Sequence, residues 1–452
     1  MQSVAFHTLG CKVNIYETEA MQQLMQEAGY KTVEFEDSAD IYIINTCSIT
    51  NMADKKSRQI LHRAKKENPN AIVVAVGCYV QSAAEQLKKD GNIDIIVGNN
   101  RKKDIAKIIG EYFCRQEQSY IIDINSTKEY EEFFTLKPGT HTRAFLKVQD
   151  GCNQFCTYCI IPYTRGRVRS RKKEEVLKEA GALAAAGYQE LVLTGIHLSS
   201  YGMDFQDKTD LGELIEAISR KEGIERIRIG SLEPRIISED FMERMRGIEQ
   251  FCPHFHLSLQ SGCDETLRRM NRHYNTEEYY RGVELIRKYY PKAALTTDII
   301  VGFPGETQEE FIKSREFIEK VNFFETHIFP FSLRQGTKAA KMPGQIPKEE
   351  KNRRAAELAK INRRNREAFH RRNLGSRAEL LVEERIEIEG VHYLGGHTKE
   401  YIRALAPDTK EGLNRILKGR LVSCLDGEHM LFEPDCPSEG QSNTNGGICL
   451  EN

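Results

Sequence analysis

Three cysteines crowd the stretch GCNQFCTYC (residues 151–159), at Cys152, Cys156 and Cys159, with three and then two residues between successive thiols. Thiolates so closely spaced hold zinc or an iron–sulfur cluster. Zinc would want a fourth cysteine or histidine nearby, and no histidine lies between His141 and His197. A [4Fe–4S] cube has four irons, so three cysteines close three corners and leave one iron for a small chelating molecule. Ordinary buried thiols are the remaining alternative.

Three more cysteines each end a short β-rich run: VAFHTLGC at Cys11, IYIINTC at Cys47 and AIVVAVGC at Cys78. Between them ETEAMQQLMQEAGY and DKKSRQILHRAKKENPN carry helical apolar spacing. Strands alternating with helices predict a parallel sheet whose strand ends share one rim, where the three thiols can converge. Residues 145–335 repeat the alternation six times, with strands FLKVQ, ELVLTG, RIRIGS, FHLSLQ, LTTDIIVGF and THIFPFS. Six units suit a partial (β/α)6 barrel, with catalytic loops at the carboxyl ends of its strands, and the 151–159 loop follows the first of them. Residues 376–434 are β-rich and turn-punctuated, as in a small OB-like module.

The expected fold class is therefore α/β: an N-terminal parallel α/β sheet domain (1–115), the central barrel (138–370) and a C-terminal all-β domain (373–436). The polar, glycine-rich residues 437–452 are expected to be disordered. No apolar run approaches the roughly 18 residues that cross a bilayer. The start MQSVAFHTLG lacks the basic and apolar regions of an export signal, so the expected compartment is the cytoplasm, with no membrane partner. Twelve cysteines are too few for a disulfide scaffold of 452 residues, which directs the clustered thiols to metal or catalysis. The net charge of -1 hides a basic stretch, residues 347–374, with ten Lys or Arg against four Glu. Beside an OB-like module that excess suits nucleic acid. Arg165, Arg167, Arg169 and Arg171 alternate and would share one face of an extended segment, gripping phosphates or facing solvent.

The cysteine loop resembles that of the radical S-adenosylmethionine superfamily. The longer DGCNQFCTYCIIPYTRGRVRSR, with HTLGCKVNIYETE, INTCSIT and VAVGCYVQ, looks like the methylthiotransferases within it, and VHYLGGHTKEYIRAL is similar to the TRAM module these enzymes use for RNA. The resemblance covers nearly all of residues 1–435. It implies that Cys152, Cys156 and Cys159 hold a [4Fe–4S] cluster whose open iron chelates S-adenosylmethionine and cleaves it to a 5′-deoxyadenosyl radical. It further implies that Cys11, Cys47 and Cys78 hold a second, auxiliary [4Fe–4S] cluster. Two S-adenosylmethionine molecules would then serve, one methylating a sulfur at the auxiliary cluster and one supplying the radical. LGCKVNIYET (Leu9 to Thr18) resembles the branch that methylthiolates C2 of N6-threonylcarbamoyladenosine at position 37 of tRNA.

Alternative substrates within the family are N6-isopentenyladenosine of tRNA and an aspartate of a ribosomal protein. Outside it, the alternative is a non-catalytic, redox-sensing RNA-binding iron–sulfur protein. The implied partners are a tRNA anticodon stem-loop carrying the modified adenosine, an external flavodoxin- or ferredoxin-like electron donor and a sulfur donor the sequence does not name. S-adenosylmethionine is expected across the strand ends in TGIHLSSYG, SLEP, SLQSG, DIIVGFPGE and FSLRQGT. These nominate Gly195 and Gly302 for close backbone approach, Glu233 for the amine, Arg334 for the carboxylate or the substrate, and Gln260 and Asp298 beside them. The superfamily's usual Gly-Gly-Glu has no counterpart, and Glu306 stands one place later than in the usual adenine-side pattern. Cys114, Cys252, Cys263, Cys424, Cys436 and Cys449 have no ligand spacing and are expected to be structural or incidental.

Overall fold

The computed structural model describes residues 2–115, 117–134, 142–207, 209–409 and 412–435. The expected tail, with Cys436 and Cys449, lies outside the described residues. The chain divides into two compact units, Met1–Arg366 and Glu367–Asn452. The expected N-terminal and central domains thus share one unit.

That unit opens with a six-stranded parallel sheet of order β2-β1-β3-β4-β5-β6. Its strands are β1 (Ser3–Thr8), β2 (Lys31–Val33), β3 (Ile41–Thr46), β4 (Ile72–Gly77), β5 (Ile95–Val97) and β6 (Ser119–Tyr120). Helices α1 (Lys12–Glu27), α2 (Asn51–Glu67), α3 (Cys78–Leu87) and α4 (Ile105–Arg115) connect or follow them. The central strands are apolar throughout because both faces are covered: Tyr42, Ile44, Val73 and Ala75 enter one core, Ile41, Ile43, Val74 and Val76 the other. Each of the three cysteines stands where a strand gives way to a helix. Cys11 is the N-cap of α1, Cys47 follows β3 directly and Cys78 begins α3.

Six parallel strands follow: β7 (Arg143–Lys147), β10 (Glu190–Thr194), β11 (Arg226–Ile229), β12 (His254–His256), β13 (Ala294–Val301) and β14 (Glu325–Pro330). They pair as β11-β10-β7 and β12-β13-β14, and parallel bridges Ile227–Phe251 and Leu232–Leu257 join the two sets. The result is an open six-strand barrel wall. A two-residue ribbon, β8 (Gln149–Asp150) with β9 (Arg169–Ser170), brackets the cysteine loop between them. Two short helices, α5 (Ile161–Thr164) and α9 (Asp264–Arg269), lie in loops, while α6 (Lys173–Ala185), α7 (Leu211–Ser219), α8 (Glu239–Arg246), α10 (Thr276–Tyr289) and α11 (Gln308–Val321) follow the strands and pack on the outer strand faces. Capping boxes Asn275/Glu278 and Thr307/Glu310 fix where α10 and α11 begin. α12 (Lys348–Asn373) carries the unit boundary.

The second unit is a closed five-stranded barrel of order β15-β16-β17-β19-β18, built from β15 (Arg377–Ile388), β16 (Val391–Thr398), β17 (Arg403–Pro407), β18 (Ile416–Cys424) and β19 (Met430–Pro434). Bulges at Val382/Glu384 and Leu421/Ser423 bend the strands enough to close it. Among the described residues, no helix is long and apolar enough to cross a membrane.

Candidate cluster sites

Cys11, Cys47 and Cys78 meet on one rim of the N-terminal sheet. Gly10 has φ +99°, and a Cβ there would come within 2.7 Å of Cys47 Cβ and Sγ, so only glycine lets the first loop lie against the second. Burial pushes the Cys47 thiol up to about 11 and Cys11 upward as well, and charge on Cys78 acts on both. Two buried donors reach the Cys78 sulfur: Arg165 Nε at 3.3 Å and Asn99 Nδ2 at 3.6 Å.

The second triad sits in the loop after β8. Gly151 has φ +71°, and a Cβ on it would lie 1.8 Å from the Arg167 carbonyl oxygen, so this turn excludes every other residue. Phe155 is also left-handed, at φ +49°. The loop is tied down by Cys152 N donating to Gly166 O at 3.0 Å, Thr157 N to Met270 O at 3.0 Å, and Asn271 Nδ2 to the Gln154 and Phe155 carbonyls. Burial raises Cys152 to about 11 and Cys159 to about 12. Arg272 Nη1 donates to Cys156 Sγ at 3.2 Å, and its Nη2 lies 2.6 Å from Glu233 Oε1. Glu233 also faces His197 Nε2 at 3.3 Å. Burial alone would raise Glu233, but the His197 hydrogen bond and the Arg272 charge hold it below the usual carboxylate range.

Both triads fit an iron–sulfur cube. Each offers three thiols, and each has a buried guanidinium donating to a cysteine sulfur, which suits the anion that iron bound by three thiolates forms.

The nominated S-adenosylmethionine residues divide. Glu233 lies beside the cysteine loop through Arg272 and Gln154. Gly195 abuts the Gln149 side chain, and Gly302 (φ +70°) lies against Lys351 of α12, whose Cγ an added Cβ would meet at 2.4 Å. Gln260 (φ +68°) exchanges backbone hydrogen bonds with Asp298 and Ile300. Asp298 faces His256 Nε2 at 3.3 Å, and with His327 these donors lie within 4.8 Å of one another. This group is on the strand face opposite the helix-packed core and was not anticipated from sequence. Arg334 is ion-paired to Asp54 and hydrogen-bonded to Ser48, tying the loop after β14 to the start of α2. Asn51, Asp54, Tyr79, Gln81, Tyr163 and Arg334 line a cavity of about 770 Å³ between α2, α3, the short helix Ile161–Thr164 that follows the cysteine loop and the loop after β14.

The alternating arginines are neither a phosphate grip nor a solvated face. Arg165, Arg169 and Arg171 are buried and only Arg167 is exposed, its guanidinium 4.4 Å from the Phe155 ring centroid. Arg171 pairs with Glu179 and Glu132, and Arg165 with Glu17 and Asp150. In α12, Arg353, Arg354, Arg364 and Arg366 are paired to glutamates, so much of that helix's charge is spent inside the first unit. Of the unassigned cysteines, Cys252 and Cys263 are buried while Cys114 and Cys424 are exposed.

A profile of the radical SAM superfamily matches residues 146–318, and one described as uncharacterized protein family UPF0004 matches residues 3–98. The chain is 40% identical to the threonylcarbamoyladenosine tRNA methylthiotransferase MtaB of Bacillus subtilis (strain 168), over 93% of this chain and 94% of that protein. It is 40% identical to the MtaB of Aquifex aeolicus (strain VF5), over 86% and 95%. Against the tRNA-2-methylthio-N(6)-dimethylallyladenosine synthase of Carboxydothermus hydrogenoformans it is 36% identical, over 83% and 87%. The radical S-adenosylmethionine methyltransferase TsrM from Kitasatospora setae superposes with a TM-score of 0.54, covering 73% of each chain at 13% identity, a likeness of fold alone. With full-length relatives at this identity, the chain belongs to the methylthiotransferase family of the radical S-adenosylmethionine superfamily.

Proposed function

We propose that the protein methylthiolates tRNA at C2 of N6-threonylcarbamoyladenosine 37, using one S-adenosylmethionine as methyl donor and a second as radical source. The observation that carries this reading is the pair of three-cysteine sites in one compact unit, each with an arginine donating to a sulfur. The two MtaB relatives, named for the threonylcarbamoyl nucleoside, support that substrate. The 36% identical dimethylallyladenosine synthase keeps the isopentenyl nucleoside as a second reading.

Cys152, Cys156 and Cys159 would hold the cluster that binds S-adenosylmethionine, and Cys11, Cys47 and Cys78 the auxiliary one. When bound, these groups supply reductive sulfonium cleavage and a methylatable sulfur, chemistry that amino-acid side chains lack. The target aromatic carbon has neither an acidic proton nor a leaving group, so general acid–base catalysis has nothing to act on. The chain's residues bind and orient. Glu233, kept ionised by His197 and Arg272, suits the amine of the methionine moiety. Tyr79, Tyr163, Gln81 and Asn51 make the 770 Å³ cavity a fitting place for the target adenosine. The closed barrel of the second unit would serve as the TRAM module gripping the anticodon arm.

The test is mass spectrometry of tRNA nucleosides from a host lacking this activity, with and without the gene. Appearance of 2-methylthio-N6-threonylcarbamoyladenosine is the expected result. A methylthiolated isopentenyladenosine instead would move the substrate, and no methylthiolated nucleoside would overturn the reading.

A further inference from the structure

We propose that Arg165 sets the reduction potential of the auxiliary cluster, acting as a positioning residue that also joins that site to the loop of Cys152. The inference rests on the assignment of Cys11, Cys47 and Cys78 as the ligands of that cluster.

Four cations, Lys102, Lys147, Arg165 and Arg169, are buried together, and the carboxylates buried among them are Glu17, Asp150 and Glu131. Glu17 accepts from Lys102, from Lys147 at 2.7 Å and from Arg165 at 2.8 and 3.0 Å. Asp150 takes Lys147 at 2.7 Å, Arg165 at 3.2 Å and Arg169 at 3.7 Å. Positive charge in excess inside a protein is costly unless an anion balances it. Besides these carboxylates and the neutral Asn14 amide, Arg165 faces the Cys78 sulfur, a group that can carry negative charge.

The guanidinium is fully committed. Nη1 binds Glu17 and Asp150, Nη2 binds Glu17 and Asn14 Oδ1 at 2.7 Å, and Nε is left for Cys78 Sγ at 3.3 Å. The carboxylates fix its plane, so Nε cannot turn away from the sulfur. A buried N–H···S bond with a full positive charge behind it favours the cluster state carrying one more electron, which raises the potential. The same guanidinium bonds both oxygens of Asp150, whose Oδ1 accepts from Gly151 N at 2.8 Å, directly before Cys152. One side chain therefore touches the supports of both triads.

The experiment uses the full chain with Cys152, Cys156 and Cys159 all changed to Ala, so that a single cluster remains, loaded anaerobically and titrated with paramagnetic resonance of the reduced state as readout. Arg165→Gln is expected to lower the reduced-to-oxidised ratio at fixed potential at least tenfold, about 59 mV for a one-electron couple. Arg165→Lys should recover part of the loss, and Glu17→Gln should move the ratio the opposite way by removing a counter-charge. Iron and sulfide analysis separates the two readings: a parent that binds no cluster refutes the ligand assignment itself. A loaded parent whose variants leave the ratio unchanged, or all shift it in one direction, overturns the role of Arg165. If Arg165→Gln fails to take up iron, the sign of the Glu17→Gln shift decides, a fall or no change being fatal.

Discussion

Cys152, Cys156 and Cys159 occupy a loop whose backbone admits little change. A Cβ at Gly151 would overlap the Arg167 carbonyl, so Gly151→Ala should displace the loop, cost about 1–3 kcal/mol of stability and abolish 5′-deoxyadenosine formation. Thermal melts and chromatography of the reduced enzyme with S-adenosylmethionine check the two effects. Cys156→Ala should likewise end 5′-deoxyadenosine formation, whereas Cys47→Ala should lose the methylthiolated product while leaving uncoupled cleavage. Retained cleavage in the first variant, or unaltered product in the second, would refute the respective ligand. At this scale the sequence exposed the thiols, because cysteine spacing is itself a chemical statement, yet it misled about Arg165, Arg169 and Arg171. Alternation predicts a shared face but says nothing of Glu17, Asp150 or Glu179, carboxylates that folding brings to those arginines.

The barrel strands were legible as elements because β-branched runs bounded by glycine and amphipathic helices alternate with the right lengths. What they carry inside is less so. Glu190 at the start of β10 is buried against Arg228 of β11, with Nε–Oε1 at 2.7 Å. Burial opposes its ionisation, but Arg228 holds it down to about 2, below the ordinary carboxyl value of about 4.3. A depressed native pKa contributes stability above the unfolded value that disappears as pH falls towards 2. Melting temperature should therefore drop between pH 5 and pH 2, and Arg228→Met should flatten that part of the profile while costing about 3–5 kcal/mol at neutral pH. The His256, Asp298 and His327 group escaped the sequence reading for a related reason: its members lie on three strands, and only strand register places them side by side.

In the molecule as a whole, the two three-cysteine groups and the small barrel fall in different units. Removing residues 376–434 should therefore weaken tRNA binding and flatten its salt dependence, yet leave S-adenosylmethionine cleavage without tRNA unchanged. Filter binding over a salt series and 5′-deoxyadenosine assays distinguish these effects. Loss of cleavage on deletion would contradict the separation.

The Glu17 ion pairs carry a consequence for how the protein is made. Glu17 is separated by 130 residues from Lys147 and by 148 from Arg165. While the N-terminal sheet emerges from the ribosome, its carboxylate waits for partners not yet synthesised, and the arginine that will face Cys78 does not exist. The nascent sheet is thus unfinished: its three cysteines are in place by residue 78, but the counter-charges of Glu17 arrive only when the barrel's first strand and loop dock.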